Sequence, residues 1–348
     1  MSELKVAVIG GGIAGLSAAY FLAKSGAEVE VFEQRYLLYG ASGRNSGGLT
    51  VQFNDEELIK LALRSLDLYD ELQSEVKFNF LLRKDGYLKI ANKNDEAKLE
   101  SEASLLKKFG VKIEILNQNE VKEIVPDINT KAFDLAYYFS KGGTVFPWPV
   151  IWGLARGCKA LGVKIYDYTP ATVVVENGSV KGVQTLDGLH KADFVINAAG
   201  AWSNEVSKSA GVELDNKIFK ENICVTESLR PYLDPYIFDV SNNAYLSQSM
   251  RGEIVGGVVG REIDQIDKKG ELDPLIRYAK FATNLIPKLK GLSVLRQWVG
   301  VYDLGKNGKP VIGFTKVKGF VQLNGFGRHG MSLGLAAGEK VAEMVLKK

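Results

Sequence analysis

The sequence predicts an α/β fold, and three stretches of the chain support this prediction. A strand–helix–strand pattern with closely spaced glycines opens the chain at 5–35, a meander of alternating strands lies at 171–188, and a strand, glycine-rich loop and terminal helix close it at 309–344. The 348 residues are 46% hydrophobic and 24% charged, without an internal repeat or low-complexity linker. A chain of this length and composition has room for about two globular domains and a large core.

The opening segment runs from Lys5 to Arg35 and reads KVAVIGGGIAGLSAAYFLAKSGAEVEVFEQR. Its apolar pattern predicts a buried parallel strand at Val6–Ile9, a helix at Ile13–Lys24 and a second strand at Val29–Phe32. This order is a βαβ unit.

Gly10, Gly12 and Gly15 form G-x-G-x-x-G between the first strand and the helix. The first glycine permits a tight turn, the second lets the backbone approach a pyrophosphate, and the third allows close helix–strand packing. The helix N-terminus offers free N–H groups to the phosphate. Glu33 is placed to accept both ribose hydroxyls, and an acid here disfavours the 2′-phosphate of NADP. The dinucleotide contacts predicted in this unit are Gly10, Gly12, Ile13, Ala14, Gly15, Glu33, Gln34 and Arg35.

Two other interpretations of this segment are a glycine-rich turn in another kind of α/β protein and a signal peptide or membrane anchor. Val6–Ala23 carries no charge and is about as long as a bilayer span. The glycine cluster and the single basic residue before it argue against a membrane span.

Composition and charge exclude several classes of function. The net charge of +3 comes from interspersed lysines and acids, so we expect no nucleic-acid partner. Cys158 and Cys224 are the only cysteines, which fits a reducing cytoplasm and gives neither a disulfide framework nor a metal site. With only His190 and His329, a Ser-His-Asp or histidine-rich zinc site has little to build on, so the difficult chemistry is expected to belong to a bound cofactor.

Further elements follow from periodicity and turn residues. Gly40–Gly48, GASGRNSGG, is too rich in small residues for a packed element and is predicted to be a loop lining the cofactor, and His190 is predicted to be an exposed hairpin residue. Helices are predicted at Glu56–Leu72, Asn94–Phe109, Pro147–Leu161 and from the last glycine loop to Met344. Strands are predicted at Lys84–Ala91, Val163–Tyr168, Ala192–Asn197, Ala244–Gln248, Glu253–Val259, Lys309–Phe314 and Phe320–Leu323.

Five motifs in this order resemble the FAD-dependent D-amino-acid oxidase superfamily, essentially from end to end. Besides the opening unit and the Gly40–Gly48 segment they are NAAGAW at 197–202, QWVGVYDLGKNGKPVIG at 297–313 and NGFGRHGMSLGLAAGE at 324–339. Within the superfamily the chain looks most like glycine oxidases, sarcosine oxidase β subunits and the β subunits of dye-linked L-proline dehydrogenases.

This resemblance implies two domains with the active site between them. A glutathione-reductase-type, Rossmann-like FAD domain would comprise 1–77, 146–216 and 309–348, and a sheet-dominated substrate domain would comprise 78–145 and 217–308. The implied activity is oxidation of the C–N bond of a small amino acid or secondary amine by hydride transfer to flavin N5, giving an imine.

The resemblance also implies further cofactor contacts. Gly330 and Met331 are expected to stabilise the reduced flavin through the helix dipole, whereas a loop that merely joins strand to helix is the alternative. Ordinary loop polarity explains the polar residues at 42 and 44–46 about as well as cofactor binding does. A packing role suits Trp202 equally well. The positions are Ser42, Arg44, Asn45, Ser46, Gly47, Gly48, Val173, Val174, Ala199, Gly200, Trp202, Gly327, Arg328, Gly330, Met331 and Ser332.

Four residues are expected to serve catalysis. Tyr245 falls where glycine oxidases have a carboxylate-binding tyrosine, and Arg328 matches an active-site arginine. Tyr302 stands where glycine oxidases have their main carboxylate-binding arginine, which weakens the assignment of glycine as substrate. Packing in the core is the alternative for both tyrosines. His329 could stabilise the reduced flavin, orient the substrate or serve a structural hydrogen bond.

The expected attachment of FAD is non-covalent, because the cysteine and histidine positions that bind flavin covalently in relatives have no counterpart here. Ile254 replaces the oxygen-activating lysine of monomeric sarcosine oxidases, which mildly favours another electron acceptor. Sarcosine, proline, hydroxyproline and glycine are the substrate candidates. An alternative is a flavin-bearing subunit that needs a partner subunit, and a Rossmann-type NAD enzyme is a third interpretation.

Overall fold

The computed structural model describes residues 4–348 and contains helices and strands in comparable amounts. The α-helices are α1 (Ile13–Lys24), α2 (Glu56–Glu75), α3 (Glu96–Lys108), α4 (Gln118–Ile124), α5 (Pro147–Ala160), α6 (Ser203–Ser209), α7 (Leu272–Leu285) and α8 (Gly330–Leu346).

The strands fall into an N-terminal set and a C-terminal set. The first set is β1 (Lys5–Ile9), β2 (Glu28–Phe32), β3 (Gly48–Leu49), β4 (Tyr87–Ala91), β5 (Glu114–Ile115), β6 (Leu135–Phe139), β7 (Gly143–Thr144), β8 (Lys164–Tyr166), β9 (Thr172–Glu176), β10 (Ser179–Thr185), β11 (Gly188–Lys191) and β12 (Phe194–Asn197). The second set is β13 (Lys217–Ser228), β14 (Tyr236–Asp239), β15 (Ala244–Gln248), β16 (Glu253–Val258), β17 (Arg261–Ile263), β18 (Val294–Leu304), β19 (Val311–Phe314) and β20 (Phe320–Asn324).

A six-stranded sheet in the order β19-β20-β12-β1-β2-β8 forms one half of the molecule and confirms the α/β prediction. All of its pairs are parallel except β19 with β20. Helices α1, α2, α5 and α8 pack on one face and the meander β9–β11 on the other, so its central strands are apolar on both sides. The carboxyl ends of β1, β2 and β12 therefore meet at one edge, where ligands bind in open α/β sheets.

A nine-stranded mixed sheet forms the other half. Its path is β17-β13-β16-β15-β14-β4-β6-β5, with β18 paired to β13, and only β14 with β4 is parallel within it. Its strands lie within 87–139 and 217–304, whereas those of the six-stranded sheet lie within 5–32, 164–197 and 311–324. The sheets follow the segments expected of two domains, and the domain boundaries themselves stay a prediction.

Close packing of α8 on α1 brings the end of the chain to its beginning. A Cβ at Gly338 would lie 2.5 Å from the Cβ of Ser17, so only glycine fits there. The Ser17 hydroxyl donates to the Leu335 carbonyl at 2.7 Å, deep in the same contact. The start of α8 thus lies beside the start of α1.

The prediction of an unpacked loop at Gly40–Gly48 is wrong. Ala41–Arg44 forms a 3-10 helix, and Gly48 pairs with Thr144. The small residues serve tight packing, because a Cβ at Gly43 would lie 2.1 Å from the carbonyl oxygen of Leu38.

The prediction that His190 is an exposed hairpin residue is also wrong. The ring is only 22% exposed, its Nδ1 lies 3.0 Å from the Glu30 carboxylate, and it packs edge-on against Phe32. The hairpin folds back onto the six-stranded sheet, which the local turn pattern could not reveal.

Several boundaries also shift. The strand expected from Lys84 begins at Tyr87, the one expected from Lys309 begins at Val311 after Pro310, and the last helix continues to Leu346. Proline lacks the N–H group that a strand ladder needs, which accounts for the second shift. Within residues 4–348, no helix combines the length and apolar character required to cross a membrane, and no group of acidic, cysteine or histidine side chains is arranged to hold a metal ion.

Candidate functional site

A cleft at the carboxyl edge of the six-stranded sheet, here called the glycine cleft, encloses about 1140 Å³ including its opening. It is lined by Ile9–Gly12, Phe32–Gln34, Leu38, Gly40–Ser42, Pro170–Thr172, Ala198–Trp202, Glu205 and Val206. Three separate parts of the chain therefore meet at the predicted dinucleotide motif.

Glycine is present at the three motif positions for different structural reasons. Gly10 has φ of +114°, and a Cβ there would lie 2.3 Å from the Ala198 carbonyl oxygen. A Cβ at Gly15 would lie 2.1 Å from the Gly10 carbonyl oxygen. Gly12 has an ordinary φ of −81°, and the only neighbour a Cβ would approach is the Ser42 hydroxyl at 3.1 Å. Packing thus explains Gly10 and Gly15, whereas Gly12 leaves open space above the helix N-terminus.

The first turn of α1 and Glu33 define the polar floor of the cleft. The Ile13 N–H donates to the Ser42 hydroxyl at 3.1 Å, whereas the N-cap residue Gly12 has no side chain with which to cap the helix. Glu33 accepts from the N–H groups of Gly11 at 3.1 Å and Arg35 at 3.0 Å. Burial raises the pKa of the Glu33 carboxyl above its ordinary value, although these backbone donors oppose the shift.

The opposite wall is the turn after β12. Gly200 has φ of +53°, and Ala199 donates its N–H to the side chain of Asn197 at 3.3 Å. Val173 and Val174 do not line the cleft; the wall there is formed by Pro170–Thr172, immediately before them. The Val173 N–H donates instead to the Ser209 hydroxyl at 3.0 Å.

A lysine that the sequence did not single out lies beside the glycine cleft and contacts Trp202 of its wall. Lys268, from the loop after β17, places its Nζ 3.2 Å from the Tyr39 ring centre and 5.1 Å from that of Trp202. Burial, with the charge of Arg44 as the next cause, lowers the pKa of Lys268 to about 8. This contact joins the loop after β17 to the wall of the glycine cleft.

A second pocket, here called the tyrosine pocket, lies between the nine-stranded sheet and the segments 41–50 and 327–329, and it encloses about 540 Å³ including its opening. Its lining consists of Ala41, Arg44–Ser46, Gly48, Thr50, Tyr87, Glu221, Ile223, Tyr236, Tyr245, Gly300, Tyr302 and Gly327–His329. Ala41 lines both cavities, so the glycine cleft and the tyrosine pocket are adjacent.

The segment Arg44–Gly48 joins the two cavities. Arg44 donates to the carbonyls of Tyr39 at 3.0 Å and Val299 at 3.3 Å, which fixes its guanidinium by backbone contacts. Asn45 donates to the Arg328 carbonyl at 3.1 Å and accepts the Gly47 N–H at 2.7 Å.

Three stacked tyrosines form one wall of the tyrosine pocket. The Tyr87 and Tyr236 rings lie 5.0 Å apart and those of Tyr236 and Tyr245 lie 5.8 Å apart, both nearly parallel. The register causes this, because Tyr236 pairs with Tyr87 across β14 and β4, and Tyr245 pairs with Phe238, which shares the face of Tyr236. The Ser46 hydroxyl lies 3.0 Å from the Tyr236 hydroxyl.

Glu221 lies at the centre of the polar side of this pocket. It accepts hydrogen bonds from the Tyr245 hydroxyl at 2.5 Å, the Tyr302 hydroxyl at 3.2 Å and the Gly260 N–H at 3.1 Å. Burial, reinforced by the Glu221 charge, raises the pKa values of both tyrosines well above the ordinary value, so both stay protonated.

Arg328 supplies a positive charge to the tyrosine pocket. Its guanidinium carbon lies 4.1 Å from the Phe238 ring centre and 5.5 Å from that of Tyr245. Its Nη1 is fully buried and finds no hydrogen-bond partner within residues 4–348. Burial disfavours the charge, but the electrostatic influence of Tyr87, Tyr236 and Glu221 outweighs it and raises the pKa of Arg328, so the residue is a permanent cation.

His329 occupies the other side of the pocket and packs edge-on against Phe53 at 4.9 Å. Burial and the charges of Arg328 and Lys89 lower the pKa of the imidazole well below its ordinary value, so the ring is neutral. Lys89 is buried and paired with Glu102 at 2.7 Å.

The loop that carries Arg328 is anchored at both ends. Before it, the buried Asp303 accepts the Gly325 N–H and the Asn216 side chain, both at 2.8 Å. After it, Tyr69 donates to the Met331 carbonyl at 2.8 Å, and Ser332 accepts the Thr50 N–H at 3.1 Å. Gly330 is the first residue of α8, so Gly327–Ser332 sits where helix N–H groups begin.

Comparison with known proteins agrees with this architecture. The sequence model of the family DAO, FAD dependent oxidoreductase, matches residues 5–344. The chain belongs to this family. It is therefore an FAD-dependent oxidoreductase, as the sequence motifs predicted.

The proteins that the chain is similar to include sarcosine oxidase subunits, glycine oxidases and an L-proline dehydrogenase. The chain is 29% identical over 326 residues to the sarcosine oxidase subunit beta of Rhizobium meliloti (strain 1021), covering 90% of this chain and 77% of the relative. The crystal structure of L-proline dehydrogenase from P. horikoshii superposes with a TM-score of 0.93 at 32% identity, covering 99% of this chain and 94% of that one. That of glycine oxidase from Geobacillus kaustophilus has a TM-score of 0.90 at 24% identity, covering 99% and 95%, and supports the fold.

The cavities fit the cofactor that the family name states. Gly12 leaves a cradle that a side chain would fill, it provides no side-chain cap for α1, and Glu33 stands at the adjacent strand end. These are the donor, space and acceptor that a dinucleotide requires. The isolated motif signals identified this cleft, whereas Tyr87, Glu221, Tyr236 and Lys268 were missed because they come together only through the sheet register and tertiary packing.

Proposed function

We propose that this chain binds FAD non-covalently along the glycine cleft and oxidises the C–N bond of a small amino acid or secondary amine in the tyrosine pocket. When bound, FAD supplies the two-electron acceptor that this oxidation needs. The observation that carries the substrate class is the buried Nη1 of Arg328, which finds no partner in the described part of the chain and lies in a pocket walled by aromatic rings.

In the glycine cleft, the N–H groups at the start of α1 and the space at Gly12 would hold the pyrophosphate, and Glu33 would accept the ribose hydroxyls. The cofactor contacts proposed from the sequence that line one of the two cavities are Gly10, Gly12, Glu33, Gln34, Ser42, Arg44, Asn45, Ser46, Gly48, Ala199, Gly200, Trp202, Gly327 and Arg328. Ile13, Ala14, Gly15, Arg35, Gly47, Val173, Val174, Gly330, Met331 and Ser332 are proposed to act through backbone or helix-end positions.

In the tyrosine pocket, a carboxylate fits the free donor of Arg328, because guanidinium–carboxylate pairs gain strength where water is excluded. Tyr245 and Tyr302 keep their hydroxyl protons and aim them at Glu221, so they position the polar side of the site. His329 is neutral and is proposed to orient the substrate against the Arg328 side of the pocket.

The test is an anaerobic titration of FAD-reconstituted protein with glycine, sarcosine, proline and hydroxyproline. We expect the visible absorbance of the flavin to bleach with one or more of these compounds and to return in air or with a dye. Release of intact FAD on denaturation would support non-covalent attachment. Reconstituted protein that no member of the panel bleaches would contradict the proposed substrate class.

We also propose a second possibility for how the chain operates, namely as the flavin-bearing subunit of a hetero-oligomer in the cytoplasm. The similarity to the sarcosine oxidase subunit beta of Rhizobium meliloti supports it. Pull-down of the tagged chain from its native cells, followed by mass spectrometry, should recover a stoichiometric partner that accelerates turnover. Full turnover by the isolated chain with oxygen would argue against this need for a partner.

A further inference from the structure

The tyrosine pocket has two unused hydrogen-bonding capacities of opposite sign. Arg328 offers a buried donor group, its Nη1, which has no hydrogen-bond partner among residues 4–348. Glu221, only 5% exposed, accepts three hydrogen bonds, whereas an ionised carboxylate offers about four acceptor positions. The pocket therefore has room for one acceptor at the arginine and one donor at the glutamate.

Glu221 is not neutralised by a cation of its own. The adjacent Lys220 extends away from it to Asp267 at 2.6 Å and Glu271 at 3.0 Å. Within the part of the chain that the structure describes, Glu221 forms no ion pair. Its charge instead contributes to raising the pKa of Arg328 across the same pocket. Because an unpaired buried carboxylate is costly, a site that keeps one has a use for its charge.

We propose that Glu221 recognises the protonated nitrogen of the substrate, so that the pocket binds a zwitterion with Arg328 at its carboxylate and Glu221 at its ammonium group. This rests on the proposed function. Glu221 is then a specificity-determining residue that selects amino acids over acids of the same shape without a basic nitrogen. Tyr245 and Tyr302 hold the carboxylate of Glu221 in place for its contact with the substrate nitrogen.

Two sets of matched ligands isolate the nitrogen. The ring set is proline, tetrahydrofuran-2-carboxylate and cyclopentanecarboxylate, and the open set is sarcosine, methoxyacetate and butyrate. Within each set the carboxylate stays and the critical position changes from a protonated amine to an ether oxygen to a methylene. Binding is measured by anaerobic titration calorimetry on FAD-reconstituted protein reduced with dithionite, so that no ligand is consumed.

We expect the wild type to prefer the amine over the ether at least tenfold in one of the two sets. Glu221→Gln should weaken binding of that amine at least tenfold but binding of the ether less than threefold, which removes the preference. Glu227→Gln is the control, since Glu227 lies on the same strand, β13, outside the tyrosine pocket. Equal losses for amine and ether in Glu221→Gln would mean that Glu221 only holds the tyrosines, and would overturn the proposal.

Tyr302→Phe provides a second test that keeps the charge of Glu221. This test remains available if Glu221→Gln does not fold. Removing this hydroxyl frees one acceptor position of Glu221, so the preference for the amine should be kept or increased. Its disappearance would overturn the inference. If the wild type binds neither amine more tightly than its ether, the inference fails while the proposed function is still tested by flavin bleaching; if nothing in either set binds or bleaches the flavin, the proposed function fails as well.

Discussion

The glycine cleft and the tyrosine pocket lie side by side but are lined by different kinds of residue. The cleft is mostly backbone and small side chains, with Glu33 as its principal charged group deep in the wall. The pocket is made of large side chains, four tyrosines with Glu221 and Arg328 among them, supplied by separate strands and a loop. A cofactor shared by a whole family can be held by main-chain geometry, whereas a substrate is selected by side chains.

This difference predicts that the two cavities can be damaged independently. A change in the cleft should cost cofactor affinity, and a change in the pocket should cost substrate recognition while the flavin stays bound. The strongest test uses Gly12, where an added Cβ would lie 3.1 Å from the Ser42 hydroxyl, the end of a side chain that can shift.

Gly12→Val should weaken FAD binding by a factor of about 100 or more, because the added side chain occupies the space in which the backbone approaches the pyrophosphate. The ordinary φ of Gly12 means that the apo fold should survive. FAD affinity is measured by quenching of flavin fluorescence, with circular dichroism as the check on folding. Gly270→Val is the control, since a Cβ there would lie 3.1 Å from the Gln297 side chain, a contact like the one Gly12 makes with Ser42, and Gly270 lies outside both cavities. A folded Gly12→Val protein with wild-type FAD affinity would contradict the glycine cleft as the FAD-binding site.

Arg328→Lys should leave FAD bound but lower kcat/KM for the best amino acid by a factor of about 100, equivalent to about 2.7 kcal/mol. Lysine keeps the charge but loses the planar group that lies on Phe238 and the second donor for a carboxylate. Stopped-flow reduction of the flavin gives the rate. The exposed Arg296 on β18 provides the control Arg296→Lys. Wild-type kinetics in Arg328→Lys would exclude a direct contact with the carboxylate.

The sequence predicted much of the fold because the decisive patterns are local. The segment from β1 to β2 follows directly from an apolar run, three glycines and a second apolar run, and the predicted helix Ile13–Lys24 has the observed limits. Gly40–Gly48 failed because its small residues allow close packing, and this reason for small residues cannot be distinguished from loop flexibility without the neighbours Leu38 and Val145.

The candidate site was predictable in part for the same reason. Tyr245, Tyr302 and Arg328 lie in motifs that resemble a known family, and all three line the tyrosine pocket. Glu221 offered no clear signal, because it lies between the polar residues Lys220 and Asn222 in the sequence. Its importance depends on β13 lying between β16 and β18, an arrangement of distant segments that the sequence pattern does not specify.

Glu33→Gln should weaken FAD binding by about tenfold at pH 7.5, since a hydrogen bond to a charged group contributes about 1.5 kcal/mol or more. The variant also tests pH dependence. Because burial raises the pKa of Glu33, the wild type should lose FAD affinity as the pH falls through that raised value, whereas the glutamine variant should not show this loss. Fluorescence titrations between pH 5 and 8 measure both effects. Parallel pH curves for the two proteins would contradict the role of Glu33.

The smallest effect is expected at His329, where the tyrosine pocket sets the protonation state of the ring and thereby the pH dependence of stability. The folded protein holds the pKa of His329 well below 6.5, chiefly by burial and then by the charge of Arg328. The unfolded chain takes up this proton near pH 6.5, so stability is lost as the pH falls below that value, by at most about 1.4 kcal/mol per pH unit.

His329→Gln removes this proton uptake, so its thermal midpoint should fall less than that of the wild type between pH 7.5 and 5.5, by the equivalent of about 1 kcal/mol. Differential scanning calorimetry at the two pH values measures the difference, and His190→Gln shows the effect of removing a histidine outside both cavities. An unchanged pH dependence in His329→Gln would mean that the ring can take up a proton in the folded state. The neutral side of the tyrosine pocket would then carry a second positive charge beside Arg328.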